Sequence, residues 1–169
     1  MRIGLISDTH GLWRPEASRF LEGCSLIVHA GDIGSRAVLE ALRGLAPLCA
    51  VRGNNDDWAG AIPETQSVEV GGVGLYVVHD CNQLRAAPAG ARVLIVGHSH
   101  RPAIERRDGM LLINPGSAGP RRFKLPVAAG EIVIGRGVLE VRIVDLLSGS
   151  ALPGLSATWA LGRGEMQAR

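Results

Sequence analysis

The chain has 169 residues, 46% of them hydrophobic and 20% charged, which makes it most simply one folded domain with a real core and excludes a disordered chain. A formal net charge of +2 is too small to argue for a nucleic-acid partner by bulk electrostatics, and no apolar run is long enough to span a bilayer. The three cysteines lack metal-knuckle spacing and read as reduced thiols of a cytoplasmic protein, while the scarcity of aromatics leaves Val, Leu, Ile and Ala to build the core.

Residues 2–7 form a short apolar run that breaks at Asp8, so the start reads as a strand and not as a signal peptide. Pro15 can open a helix that continues through Leu21 to Gly23. Leu26, Ile27 and Val28 make a buried strand ending at Gly31-Asp32. Ser35 caps a helix through Arg43, stopped at Gly44. Residues 48–51 are a third strand leading into the Gly53 turn. This strand-loop-helix rhythm implies parallel strands.

The second half changes character. Gly71-Gly72, Asp108-Gly109 and Gly135-Arg136-Gly137 each separate two apolar runs and predict hairpins. Residues 83–87 predict a short helix and 93–96 a buried strand. Two packed mixed sheets with helices outside, a four-layer α/β/β/α sandwich, satisfy both halves. Residues 148–169 show no clean period, with Trp159 and Leu161 among their apolar handles. They predict weak order or a short segment docked on a neighbour.

Metal-ligand side chains cluster at the ends of these runs: Asp8, His10, Asp32, Asn54, His79, His98 and His100. Carboxylate, imidazole and amide without thiolate suit borderline-hard divalent cations rather than a structural zinc knot. Loops at the carboxyl ends of parallel strands share one rim, so these side chains can converge on a two-metal hydrolytic centre. The one-residue spacing of Asp8 and His10, and of His98 and His100, lets each pair reach two cations or hold one from two sides.

Taken in order, Asp8-Thr9-His10, Gly31-Asp32, Gly53-Asn54-Asn55-Asp56, His79-Asp80, Gly97-His98-Ser99-His100 and Asn114-Pro115-Gly116-Ser117 resemble the calcineurin-like metallophosphoesterases. Within them, the chain looks like the small single-domain phosphodiesterases of bacteria and archaea. The resemblance implies a metallophosphoesterase domain over 1–147, followed by a weakly ordered tail over 148–169. It implies one cation held by Asp8, His10 and His100, another by Asn54, His79 and His98, and Asp32 between them. Two cations about 3.5–4 Å apart repel and need a shared anion. A hydroxide bridging them would attack phosphorus in line with the leaving group. Manganese is the first expectation; iron, zinc or nickel would fit the same ligands.

Around that set, His29 is expected to support the site without binding metal. Asn55 stands where many family phosphatases carry the histidine thought to protonate the leaving group. An amide cannot serve as that acid near neutral pH. Asp56 orients either the loop or a metal-bound group. Asp80 replaces the family's usual glycine and reads as an exposed loop acid, or as a partner of a ligating histidine. The Asn114–Ser117 stretch reads as a turn packed behind the site. Arg121 and Arg122 are candidate phosphate-binding residues, and Trp13 and Trp58 either wall the cleft or pack in the core.

The function these features imply is hydrolysis of a small phosphate ester, most directly a diester. A phosphomonoesterase acting on small phosphorylated metabolites is the alternative enzyme. A protein-binding scaffold of the same fold, as in retromer, is the alternative of another class. A nuclease lacks a separate nucleic-acid-binding region, and the resemblance makes a homodimer plausible.

Overall fold

The computed structural model describes residues 1–84, 86, 88–107 and 109–161, and the backbone of 166–168. Three parallel strands come first: β1 (Arg2–Ile6), β2 (Leu26–His29) and β3 (Leu48–Ala50), linked by α1 (Pro15–Leu21) and α2 (Arg36–Arg43). Pro15 occupies the first turn of α1, where its missing N–H costs nothing. Ser35 accepts the Val38 N–H at the start of α2, and Gly44 closes that helix by donating to the Glu40 carbonyl at 3.0 Å.

The second half supplies β4 (Thr65–Val70), β5 (Val73–Val78), β6 (Ala91–Ile95), β7 (Ala103–Arg107) and β8 (Met110–Asn114). It continues with β9 (Ala128–Gly135), β10 (Val138–Asp145), β11 (Ala151–Leu161) and β12 (Met166–Ala168). These build a seven-stranded sheet in the order β12-β11-β10-β9-β1-β2-β3 and a five-stranded sheet in the order β4-β5-β6-β8-β7. Both sheets are mixed, as the two sequence patterns required. Gly71 and Gly72 both take positive φ, 58° and 77°, the backbone of a tight two-residue hairpin. Asp108 lies outside the described residues, but β7 and β8 pair antiparallel on either side of it.

Strand alternation sets the layers. Ile3, Leu5 and Val28 face Leu75, Val77, Val93 and Ile95 in the core between the sheets. Ile6 and Ile27 point the other way, against Leu21 of α1 and Leu42 of α2. Gly4 leaves room for α1, since a Cβ there would stand 2.4 Å from Leu21 Cδ2. The outer face of the second sheet buries Leu94, Val96 and Leu112 under Cys81 and Leu84. That cover is thinner than a full helical layer. The expected helix over 83–87 is replaced by a 3-10 turn at Cys81–Gln83, with Arg85 and Ala87 outside the described residues.

Residues 151–161, expected to be weakly ordered or docked on a neighbour, form β11, which pairs with β10 and seats Trp159, 5% exposed, in the core between the sheets. The register slips between Arg142 and Val144, so the extra residues of β11 break the alternation that would have marked a strand.

Candidate metal centre

Every one of the seven expected ligands lies on a loop at the same rim. Asp8 and His10 follow β1, Asp32 follows β2 and Asn54 follows β3; His79 follows β5, and His98 and His100 follow β6. The rim is stitched by backbone bonds: Asp8 N–H to the Gly31 carbonyl and His10 N–H to the Asp32 carbonyl, both at 2.9 Å, and Gly97 N–H to the His79 carbonyl at 2.9 Å.

The loops are bent into an uncommon backbone. Seven described non-glycine residues have positive φ, and five of them are Asp8, His10, Asp32, His98 and His100. Strain of this kind persists where surrounding contacts over-determine it, and it gathers at functional sites. The adjoining glycines give the ligands room. A Cβ at Gly53 would fall 2.2 Å from Asp32 Oδ1, and one at Gly97 would fall 2.0 Å from Ser7 Oγ.

The side chains then converge. His100 Nε2 lies 3.2 Å from Asp8 Oδ1 and 3.2 Å from His10 Nε2. His79 Nε2 lies 3.2 Å from Asn54 Oδ1 and 3.4 Å from Asp32 Oδ1. His98 Nδ1 is 3.0 Å from the same Asn54 oxygen. Asp32 stands between the groups, with Oδ2 3.8 Å from His10 Nε2 and Oδ1 toward His79. Asp8, Asp32, His79 and His100 are buried, whereas Asn54, Asn55 and His98 are exposed, so the site has a deep side and an open side.

The donor set has the character of a cation site. His79 Nδ1 lies 2.7 Å from the Ala30 carbonyl and must donate to it, which turns the lone pair of a neutral Nε2 toward two oxygen acceptors. Asp8 Oδ1 is buried and has no hydrogen-bond donor among the described residues. A buried carboxylate oxygen facing imidazoles without a donor is costly unless a cation meets it. Asp8, His10 and His100 can close on one metal ion, as can Asp8, Asp32 and His79.

The electrostatics agree. Burial pushes the Asp32 carboxyl up, but hydrogen bonds from a His79 that carries a proton on Nε2 as well, and from Asn55, outweigh it and hold the group well below the usual carboxylate range. Burial pushes the His79 imidazole down, yet hydrogen bonds to Asp32 and the Ala30 carbonyl leave it raised. His10 is lowered, chiefly by burial.

The surrounding residues divide by what they touch. Thr9 donates its hydroxyl proton to the Ile33 carbonyl, so His29 Nε2–H must donate to Thr9 Oγ1 at 2.9 Å while His29 Nδ1 accepts from Gly31 N–H. Both ring nitrogens of His29 are thus occupied. Asp56, fully buried, accepts the N–H groups of Ile33, Gly34 and Gly53 and pins one ligand loop to the next. Asn55 donates to Asp32 through its backbone at 2.9 Å and its side chain at 2.6 Å. Asp80 accepts from Asn82 N–H and caps a turn. Asn114 donates to the Gly97 carbonyl at 2.7 Å, and Ser117 to the Asp8 carbonyl at 2.9 Å.

The arginine pair splits. Arg122 reaches within 3.4 Å of His10 Nε2, whereas Arg121 donates to the Leu125 carbonyl of its own loop. Trp13 packs in the α1 and α2 layer, and Trp58 is 44% exposed. Sequence reasoning missed Ser7, which hydrogen-bonds Asp8 Oδ2, and Arg14, which donates to the Ala118 and Gly119 carbonyls at 3.2 and 3.1 Å. Ser7 directly precedes a ligand and could have been flagged on that ground; Arg14 carries no such signal.

Residues 1–133 match the model of the calcineurin-like phosphoesterase superfamily domain. The chain belongs to that family. A probable metallophosphoesterase of Methanothermobacter thermautotrophicus is 39% identical over 141 residues, covering 75% of this chain and 82% of the relative. The phosphodiesterase MJ0936 of Methanocaldococcus jannaschii is 31% identical over 139 residues, covering 69% of this chain and 83% of that protein. Among solved structures, Vps29 of Chaetomium thermophilum shares the fold with a TM-score of 0.76 at 20% identity, covering 95% of this chain and 97% of the other. The calcineurin-like phosphoesterases are metal-dependent hydrolases that use divalent cations, and this chain presents candidate ligand groups for them.

Proposed function

We propose that the chain is a dinuclear metal-dependent phosphodiesterase. The observation that carries this reading is Asp32, whose two oxygens face His10 on one side and His79 on the other. Asp8, His10 and His100 would hold one cation, Asn54, His79 and His98 the other, and Asp32 would be shared. When bound, two divalent cations acidify water and neutralise the charge that develops at phosphorus. Manganese suits the oxygen and imidazole donors first. Arg122 lies at the site and can take a phosphate oxygen through its fork of donors.

Asn55 supports the diester preference. Its amide is tied to Asp32 and carries no proton that it can give to a departing alkoxide. Leaving groups stable as anions therefore suit this site. The relative named phosphodiesterase MJ0936 lends the same support. Cys24, Cys49 and Cys81 all stand free, which accords with a reducing compartment such as the cytoplasm.

The test is hydrolysis of bis-p-nitrophenyl phosphate and p-nitrophenyl phosphate by metal-free protein resupplied with single cations. We expect no turnover without metal, recovery with manganese, faster hydrolysis of the diester, and losses of about a hundredfold or more in Asp32→Asn and His98→Ala, the scale set by general acid–base and electrostatic contributions. Metal-independent turnover, or full activity in both variants, would contradict the reading. No turnover with any cation would favour a protein-binding scaffold of the same fold.

A further inference from the structure

Phe123 is 95% exposed and holds φ at 54°. Leu125 N–H donates to the Arg122 carbonyl at 3.1 Å, so Phe123 occupies the first central position of a four-residue turn. Positive φ there belongs to primed turns, where Gly, Asn or Asp is the ordinary occupant. The backbone would be better served by glycine, and a hydrated ring gains nothing from burial. The ring therefore serves neither the turn nor the core.

Its position gives it a use. The base of the loop is fixed to the metal rim: Arg14 holds the Ala118 and Gly119 carbonyls, and a Cβ at Gly119 would fall 2.4 Å from the Asp8 carbonyl oxygen. Arg122, the preceding residue, comes within 3.4 Å of His10 Nε2. Arg121, Arg122 and Lys124 flank Phe123 in the chain and make its loop cationic. An exposed ring on a cationic loop, one residue beyond an arginine at a phosphate site, suits a small anion that carries a planar ring.

Resting on the phosphoesterase reading, we infer that Phe123 is a specificity residue, stacking on an aromatic or nucleobase ring of the substrate while Arg122 contacts its phosphate. Stacking of a ring on an aromatic side chain is worth about fivefold to a hundredfold in affinity.

The test is calorimetric binding of two unreactive phosphonates, phenylphosphonate and methylphosphonate, to manganese-loaded protein. Wild type should bind the phenyl compound about tenfold tighter, within the range expected for one stacked ring. Phe123→Tyr should keep that preference. Phe123→Gly should lose it, bind methylphosphonate as wild type does, and melt no lower than wild type. A nucleoside phosphonate in a third arm assigns the ring: binding tighter than phenyl indicates a nucleobase, and weaker binding a simple aryl group. Equal affinity for phenyl and methyl in wild type, a preference retained by Phe123→Gly, or a melting point lowered by several degrees in that variant would overturn the assignment. Failure of the underlying phosphoesterase reading gives a different result, no binding of methylphosphonate at all, and overturns both.

Discussion

His29 shows how a single side chain can be read twice. Its sequence neighbourhood places it beside the ligands, and its hydrogen bonds to Thr9 and Gly31 leave no nitrogen for a metal. Burial, outweighing the nearby carboxylates, pushes its pKa down to about 4. The unfolded chain takes up this proton below about pH 6.5, the folded chain only near 4, so the folded state loses stability as pH falls through that window. Metal-free wild type should lose about 2 kcal/mol more than His29→Gln between pH 7 and pH 5 in urea unfolding; parallel profiles would contradict this. Asn55 makes the converse case, since its amide cannot give up a proton. Asn55→His should raise the ratio of kcat/KM for an alkyl diester over a nitrophenyl diester by about tenfold, measured in paired assays with saturating manganese. The candidate ligands were legible in the sequence as a set, because side-chain type and order suffice to name them. The positive φ of Asp8, His10, Asp32, His98 and His100 was not legible, because nothing in the composition of an Asp or His residue announces a left-handed backbone.

Elements were legible where local signals and tertiary packing agree. Ser35 and Gly44 mark both ends of α2, and the Gly71-Gly72 pair marks the turn between β4 and β5. They were hidden where tertiary contacts decide. β11 carries Pro153 and Gly154 and slips its register against β10, so its alternation is broken although Trp159 is buried. Trp159→Ala should cost about 3–5 kcal/mol in urea unfolding, whereas a loosely docked tail would lose less than 1 kcal/mol or so. The loop after β6 makes a complementary prediction. A methyl group at Gly97 would meet Ser7 Oγ, the Ala30 carbonyl and Asp8 Oδ2. Gly97→Ala should therefore weaken metal binding by about tenfold or more, read by cation titration, through displacement of Asp8 rather than loss of any ligand.

The whole molecule explains why the site lies between two sheets. Asp8, His10, Asp32 and Asn54 follow strands of the seven-stranded sheet, while His79, His98 and His100 follow strands of the five-stranded sheet. Bound cations would link the two, so ligation should add to folding stability. At a free metal concentration a hundred times Kd, mass action contributes about 2.7 kcal/mol, or roughly 5–10 °C in Tm for a chain of this size. Chelation should remove that increment in wild type and change nothing in Asp32→Asn.

Anomalous diffraction from manganese-loaded crystals tests the shared carboxylate most directly. We predict two peaks about 3.5–4 Å apart, one beside Asp8, His10 and His100, the other beside Asn54, His79 and His98, with Asp32 reaching both. A single peak, or a pair that Asp32 does not join, would contradict the account.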